Sequence, residues 1–261
     1  MKLKANGLAL FGLCAALLLA GCDRTAKVAQ EHRKKGNDLY KKEQWQAAAE
    51  EFDLSLKADP NQEKLLMKKA VAHAKAKQMD LATETMLKTL EFKGDAKAKG
   101  EVYRNIGNMY LQSGPVEKAE GYFLEALKID PKDEAALSWL GEMFSQLGGA
   151  RAQAAKAVPE YLDKAIGYYD QAIAVNPASP NAYLNKRIAL TKYLEFLRLE
   201  KEAADKEAEE FKKDKEKAAA AQARSQELAT RYETLKVSFD ENTVKLGEVN
   251  LAAKAAKAAG K

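Results

Sequence analysis

An all-α fold of stacked helix pairs, followed by a long C-terminal helix, is predicted by three features of the sequence. Apolar residues recur at helical spacing through residues 100–133: Val102, Ile106, Met109 and Tyr110 form one stripe, and Ala119, Tyr122, Phe123, Ala126 and Leu127 the next. The same pattern returns along the chain at intervals of about 34 residues. Beyond the repeats, Lys192 to Val237 contains neither Gly nor Pro. With 261 residues, 46% apolar and 31% charged, the chain can bury a sizeable core. Its net charge of +5, with Lys and Glu interspersed, describes solvated helix faces and does not argue for nucleic acid.

The first segment in chain order, residues 1–21, reads as a signal peptide. Lys2 and Lys4 precede an apolar run from Leu8 to Ala20, and Gly21–Cys22 follows. The run is too short for a good membrane span. Leu19-Ala20-Gly21-Cys22 resembles the lipobox of bacterial lipoproteins. That resemblance implies cleavage before Cys22, lipidation of its sulfur, acylation of the new amine with a chain such as palmitate, and a short lipid-anchored linker over 22–28. Each buried acyl CH₂ contributes about 0.8 kcal/mol, so several chains hold a protein on a membrane. Cys14 would leave with the signal and Cys22 would carry lipid, so the mature chain would have no thiol left. The expected location is the periplasmic side of a bacterial membrane. Asp23 resembles the inner-membrane retention signal of enteric bacteria, and both membranes stay open.

Repeats fill residues 29–190. The first, 29–62, carries Gly36, Asn37 and Tyr40 in one helix and Ala48 and Phe52 in the next, with Trp45 in the turn and Asp59–Pro60 at the end. In 63–96 the equivalent places hold Ala70, Ala82 and Met86, and Gly94 replaces the closing Pro. The third, 100–133, breaks at Gly114–Pro115 and ends at Asp130–Pro131, because Pro lacks the donor that another turn would need. The fourth, 134–178, has Leu137, Leu140, Gly141 and Phe144, then Ala165, Tyr169, Ala172 and Asn176–Pro177. It is delayed by an insertion at 148–160, expected as a loop leading into a helix that starts near Pro159. Residues 180–190 open a partial fifth.

Tyr103-x2-Ile106-Gly107-x2-Tyr110, then Ala119-x3-Phe123 and Pro131, resembles the tetratricopeptide (TPR) signature. Small residues fall where paired helices approach closely, and aromatics where they fill space between pairs. The resemblance implies an α-solenoid of about four to five helix pairs. Residues 191–238 are expected as one long charged helix. Its weak seam runs through Leu190, Leu194, Leu197, Ala204, Ala208, Phe211 and Ala218, then after a phase shift through Ala221, Leu228, Tyr232 and Leu235. An Ala/Lys-rich tail, 239–261, is expected to fray at its end.

No phosphate loop, Cys/His cluster or nucleophile elbow occurs, so the expectation is a protein that is not an enzyme and needs no cofactor, metal or small-molecule substrate. His32 and His73 fall where the repeat places large core-facing aromatics. The chemistry of a repeat array lies instead in the groove lined by the first helix of each pair. Here those positions carry Arg33, Asn37 and Lys41, then Met67, Lys68 and Lys75, then Arg104, Asn108 and Gln112, then Glu142. The N-terminal half of that groove is basic. Arg33-x3-Asn37 and Arg104-x3-Asn108 resemble part of the carboxylate clamp of chaperone-binding TPR domains, but Glu101 stands where the clamp needs a base.

The function expected is a membrane-anchored periplasmic adaptor that scaffolds a cell-envelope machine through protein–protein contacts. By plan it resembles the TPR lipoproteins of pilus secretin assembly, gliding motility and outer-membrane assembly. The alternatives are a structural spacer or self-oligomerising protein acting through the C-terminal helix, and a regulator of cell-wall enzymes.

Overall fold

The structure is a computed structural model that describes the backbone of residues 6–150 and 156–259, and the side chains of 24–150 and 156–259. The described residues form helices and turns, with no strand among them. The chain divides into two compact units, Met1–Pro115 and Val116–Lys261. The division falls inside the repeat expected over 100–133.

In the N-terminal unit the helices are α1 (Asn6–Lys41), α2 (Trp45–Ala58), α3 (Glu63–Lys75), α4 (Met79–Leu87) and α5 (Ala96–Ser113), with a 3-10 turn at Lys88–Phe92 before α5. α1 packs on α2 because Gly36 lets the backbones close: a Cβ there would lie 2.6 Å from the Phe52 ring, which is fully buried. Ser55 Oγ donates to the Ala29 carbonyl at 2.7 Å and fixes the register from the other end. α3 and α4 repeat the design around the buried Ala70, Ala82 and Met86.

Both helix pairs turn through a non-glycine residue in the left-handed region, Glu43 (φ 58°) and Lys77 (φ 64°). At each turn the amides of that residue and the next bond back to the preceding helix. Glu43 N reaches Tyr40 O and Gln44 N reaches Leu39 O; Lys77 N reaches Ala74 O and Gln78 N reaches His73 O. α5 starts at its N-cap Asp95, whose carboxylate accepts from the Ala98 amide at 2.7 Å.

Two N-terminal expectations are corrected. Residues 22–28 are not a linker but part of α1, as befits a stretch without Gly or Pro, and Ala29 just beyond is buried. Trp45 begins α2 and is not the turn residue; its ring meets Tyr40 edge-on at 4.9 Å. The side chains of Cys14 and Cys22 lie outside the described residues.

The C-terminal unit contains α6 (Glu117–Ile129), α7 (Glu134–Leu147), α8 (Pro159–Val175), α9 (Pro180–Glu210) and α10 (Lys215–Ala259). Gly141 in α7 repeats the role of Gly36: its Cβ would meet the fully buried Tyr169 ring at 2.5 Å. α7 stops where Gly149 adopts φ 71°, with Gly149 N bonded to Gln146 O and Ala150 N to Ser145 O. This is the glycine-dependent helix ending in which the left-handed residue lets two amides satisfy the last carbonyls. Val158 N then bonds to Gly148 O at 3.1 Å, so the insertion leaves and returns at one point, and α8 opens with Pro159 as expected. The middle of the expected 148–160 insertion, 151–155, lies outside the described residues.

The largest departure is at the C-terminus. The single helix expected over 191–238 is two helices, since the chain turns at residues 211–214 and α10 runs back antiparallel along α9. Asp214 makes the turn: its carboxylate caps the Lys217 amide at 3.3 Å and its carbonyl accepts from Ala218 N at 2.9 Å. The strand of contacts along the pair includes Arg224–Glu200 at 2.5 Å and Ser225 Oγ donating to Asp205 at 2.5 Å. Arg231 pairs with Asp163 of α8 and lies 5.1 Å over the Tyr193 ring. Asn242 Nδ2 donates to Tyr183 O at 2.9 Å. The partial repeat at 180–190 is therefore completed by α10. The expected tail, 239–261, belongs largely to α10 as well: Asn242 and Leu246 are buried, and only residues 260–261 lie outside the described residues. The fold class otherwise stands as expected: among the described residues the chain is all-α, with successive helices packed in pairs.

Candidate partner-binding groove

In the N-terminal unit the first helices α1, α3 and α5 present their polar positions to two neighbouring clefts. Arg33, Asn37 and Lys68 line the first, of about 450 Å³, together with Gln62, Glu63 and Lys64. Lys68 Nζ donates to Asn37 Oδ1 at 2.9 Å, and Arg33 Nη1 to Gln62 Oε1 at 3.4 Å. Helix spacing explains the meeting of α1 and α3 residues, since positions i and i+4 stack on one face and α3 lies across that face.

The cleft keeps a net positive charge: Arg33, Lys64 and Lys68 stand against Asp59, whose Oδ1 accepts from the Asn61 amide, while Lys93 takes the Glu63 carboxylate at 2.5 Å. The same contact pushes the Lys93 amine above its ordinary value. Arg33, Lys64 and Lys68 are exposed cations, and Arg33 and Lys68 donate to the neutral amides of Gln62 and Asn37.

The second cleft, of about 230 Å³, shares Lys68 and adds Lys75, Asn108 and Gln112 over an apolar floor. Tyr40, Met67, Val71, Met86 and Met109 form that floor. Gln112 Nε2 donates to Asn108 Oδ1 at 2.9 Å, which aligns the α5 side of the wall. A Met-lined floor is polarisable and adapts to varied side chains. Met67 was visible as a groove position, whereas Met86 sits on a second helix, where the sequence marks a core residue.

Of the expected groove residues, Arg33, Asn37, Lys68, Lys75, Asn108 and Gln112 line these two clefts. Lys41 is exposed and lines neither; Arg104 is half-buried, already engaged, and lines neither. The two Arg-x3-Asn pairs therefore do not converge on one point, as a clamp on a single carboxylate would require. Glu142 is in the C-terminal unit, where it borders a separate cleft of about 290 Å³ with Ser145, Gln146, Tyr169, Asn185 and Ile188.

The histidines are corrected too. His32 is not a core aromatic: its Nδ1 lies 2.8 Å from Glu51 Oε2, and about a third of its side chain is exposed (32%). His73 Nδ1 lies 2.8 Å from Gln78 Oε1 at the α3–α4 turn. Each is recruited by a polar partner that helical periodicity does not show.

Glu51 is buried between α1 and α2 and also takes Lys35 Nζ at 2.5 Å. The hydrogen bonds from His32 and Lys35 hold its carboxyl below the usual glutamate value of 4.5. A carboxyl depressed in the folded state contributes stability that is complete above its unfolded value and is lost as pH falls through the folded one. Urea unfolding of the wild type should therefore weaken below about pH 4.5, and Glu51→Gln should flatten that limb while lowering stability at pH 7. An unchanged acid limb in the variant would remove Glu51 from the account.

Among the described residues no group of His, Cys, Asp and Glu is placed to hold a metal ion. No helix among them is long and apolar enough to cross a membrane.

No family model matches the chain. It is 27% identical over 171 residues to the STIP1 homolog protein of Dictyostelium discoideum, covering 57% of this chain and 30% of that protein. It is 26% identical over 117 residues to the Hsp70-Hsp90 organising protein of Plasmodium falciparum, covering 43% and 21%. Against the photosystem I assembly protein Ycf3 of a Synechococcus strain it is 26% identical over 98 residues, covering 37% and 57%. The chain thus spans less than a third of the length of the first two relatives. Among solved structures it is similar to MamA from Desulfovibrio magneticus RS-1 (TM-score 0.42, 15% identity, 81% of this chain and 97% of that one). It is likewise similar to PilF of Pseudomonas aeruginosa (TM-score 0.41, 17% identity, 82% and 99%).

Proposed function

We propose that this protein is a non-catalytic adaptor, anchored by lipid on Cys22 to the periplasmic side of a bacterial membrane, whose N-terminal TPR groove holds an acidic segment of an envelope partner. The observation that carries the reading is the paired cleft on α1, α3 and α5. One half offers three cations, Arg33, Lys64 and Lys68, against the single carboxylate Asp59 once Lys93 has taken Glu63, and the other an adaptable apolar floor. An extended peptide with carboxylates beside one or two apolar side chains matches both halves at once. Charges at such a rim contribute steering and register, and the apolar floor contributes the desolvated contact. The names of the curated relatives speak of organising and assembly, which suits a scaffold. Assembly of a pilus secretin, of a motility complex or of the outer membrane is the kind of machine this plan serves.

The test is a fluorescent peptide of alternating Glu and Leu, titrated by anisotropy into the full chain in detergent. Arg33→Glu with Lys68→Glu should weaken binding at least about tenfold, since truncating or reversing a recognised charge costs 2–5 kcal/mol when it is desolvated. Lys212→Glu with Lys213→Glu, which line neither cleft, should change it less than about twofold. Equal losses in the two double variants would reduce the groove to a solvated rim.

A further inference from the structure

We infer that α9 and α10 are an exchangeable pair: the turn at 211–214 straightens, and each α10 then packs on α9 of a second copy of this chain. The first observation is the turn itself. Phe211-Lys212-Lys213-Asp214 contains no Gly or Pro, none of its residues has a positive φ, and Phe211 sits near the helical region at φ −88°, ψ 16°. Its residues are held by exposed local ion pairs, Lys212–Glu209 and Lys217–Asp214, both at 3.4 Å, which contribute little. Beyond these, the turn is held by the Asp214 cap, a hydrogen bond from Asp214 N to Phe211 O at 2.7 Å and Lys217 Nζ 5.2 Å over the Phe211 ring, all within seven residues.

The second observation is the register. Glu200–Arg224 and Tyr193–Arg231 are both centred on residue 212, in the middle of the turn. Two straightened chains crossing antiparallel about that residue would re-form each of these contacts between chains. The exchange therefore leaves the interface already present in the hairpin intact and alters only the turn, which is the condition under which swapping is a low-cost route to a dimer.

The third observation is charge, which identifies the occupant as a second copy. Glu207 and Glu209 precede the turn, Lys212 and Lys213 lie in it, and Lys215 and Lys217 follow it. Antiparallel crossing about residue 212 sets Glu207 opposite Lys217 and Glu209 opposite Lys215 of the other chain, two opposite-charge pairs against the like-charge pair of Glu210 and Asp214.

The test uses the full chain in detergent with Cys14→Ser and Cys22→Ser, so that Asp205→Cys and Ser225→Cys, whose short side chains meet at 2.5 Å, supply the only thiols. Oxidation joins these two within one chain in the hairpin and between chains in the exchanged pair. Non-reducing electrophoresis and light scattering should show an interchain product whose share rises with protein concentration. Asp214→Ala removes a cap that the continuous helix does not need and should raise that share about tenfold. Lys212→Gly with Lys213→Gly puts glycines in the interior of the continuous helix and should lower it at least about tenfold. Only intrachain disulfide at every concentration, in the parent turn and in Asp214→Ala alike, would overturn the inference. A dimer whose mass and abundance the Gly pair leaves unchanged would also overturn it, because that dimer would use another surface.

Discussion

Gly141→Leu should unfold the packing of α7 on α8 and lower the thermal transition of the C-terminal unit by several degrees. A Cβ at this position would already stand 2.5, 2.7 and 2.8 Å from three atoms of the Tyr169 ring, and Tyr169 is fully buried. The ring cannot yield as a flexible chain end would, so the helices must separate. Overpacking of this kind costs about 1–3 kcal/mol or more, against a gain of about 1 kcal/mol from replacing Gly by a helix former, and the steric cost wins. Gly121 in α6 is the control, for a Cβ there meets nothing within 4 Å. Gly121→Ala should raise stability by about 0.5–1 kcal/mol. Circular dichroism melts of the two variants should move in opposite directions; a neutral Gly141→Leu would mean that the close approach of these helices is not what holds them.

Cys22→Ala should leave the chain uncleaved or release it from membranes. If acyl chains on this residue are the anchor, their loss removes about 0.8 kcal/mol for every buried CH₂, more than any surface charge on the chain could restore. The variant should remain unprocessed, or be recovered in the soluble fraction after cleavage, when membranes are separated by centrifugation without detergent. Labelling with a palmitate analogue should mark the wild type and miss the variant. Undiminished membrane association of a processed, unlabelled Cys22→Ala chain would sink the anchor proposal while leaving the groove proposal untouched, because the two rest on different residues.

Much of this protein was readable from residue order because its helix pairs obey local rules. Gly36 and Gly141 fall where a neighbouring aromatic leaves no space for a side chain, and the residues that fill the interior, Phe52, Phe123 and Tyr169, recur at the matching places. The same spacing put Arg33, Asn37 and Lys68 on first helices, and those three do line one cleft. Periodicity says which face a residue occupies. It does not say what that residue touches, so the withdrawal of Arg104 and Lys41 from the clefts, and the capture of His32 by Glu51, had no signal in spacing.

The C-terminal third separates local from tertiary causes most clearly. Helical propensity is a property of short stretches, and from Lys192 to Val237 every short stretch favours helix, so composition alone specified helix and nothing about where it bends. Where α10 goes is set by partners far away in sequence: Glu200 for Arg224, Asp163 for Arg231 and the Tyr183 carbonyl for Asn242. Folding back buries Leu197 and Ala204 of α9 and Ala221, Ser225, Asn242 and Leu246 of α10, and completes the pair that 180–190 only begins. That gain exceeds the few hydrogen bonds lost at residues 211–214, a comparison available only once the two helices lie side by side.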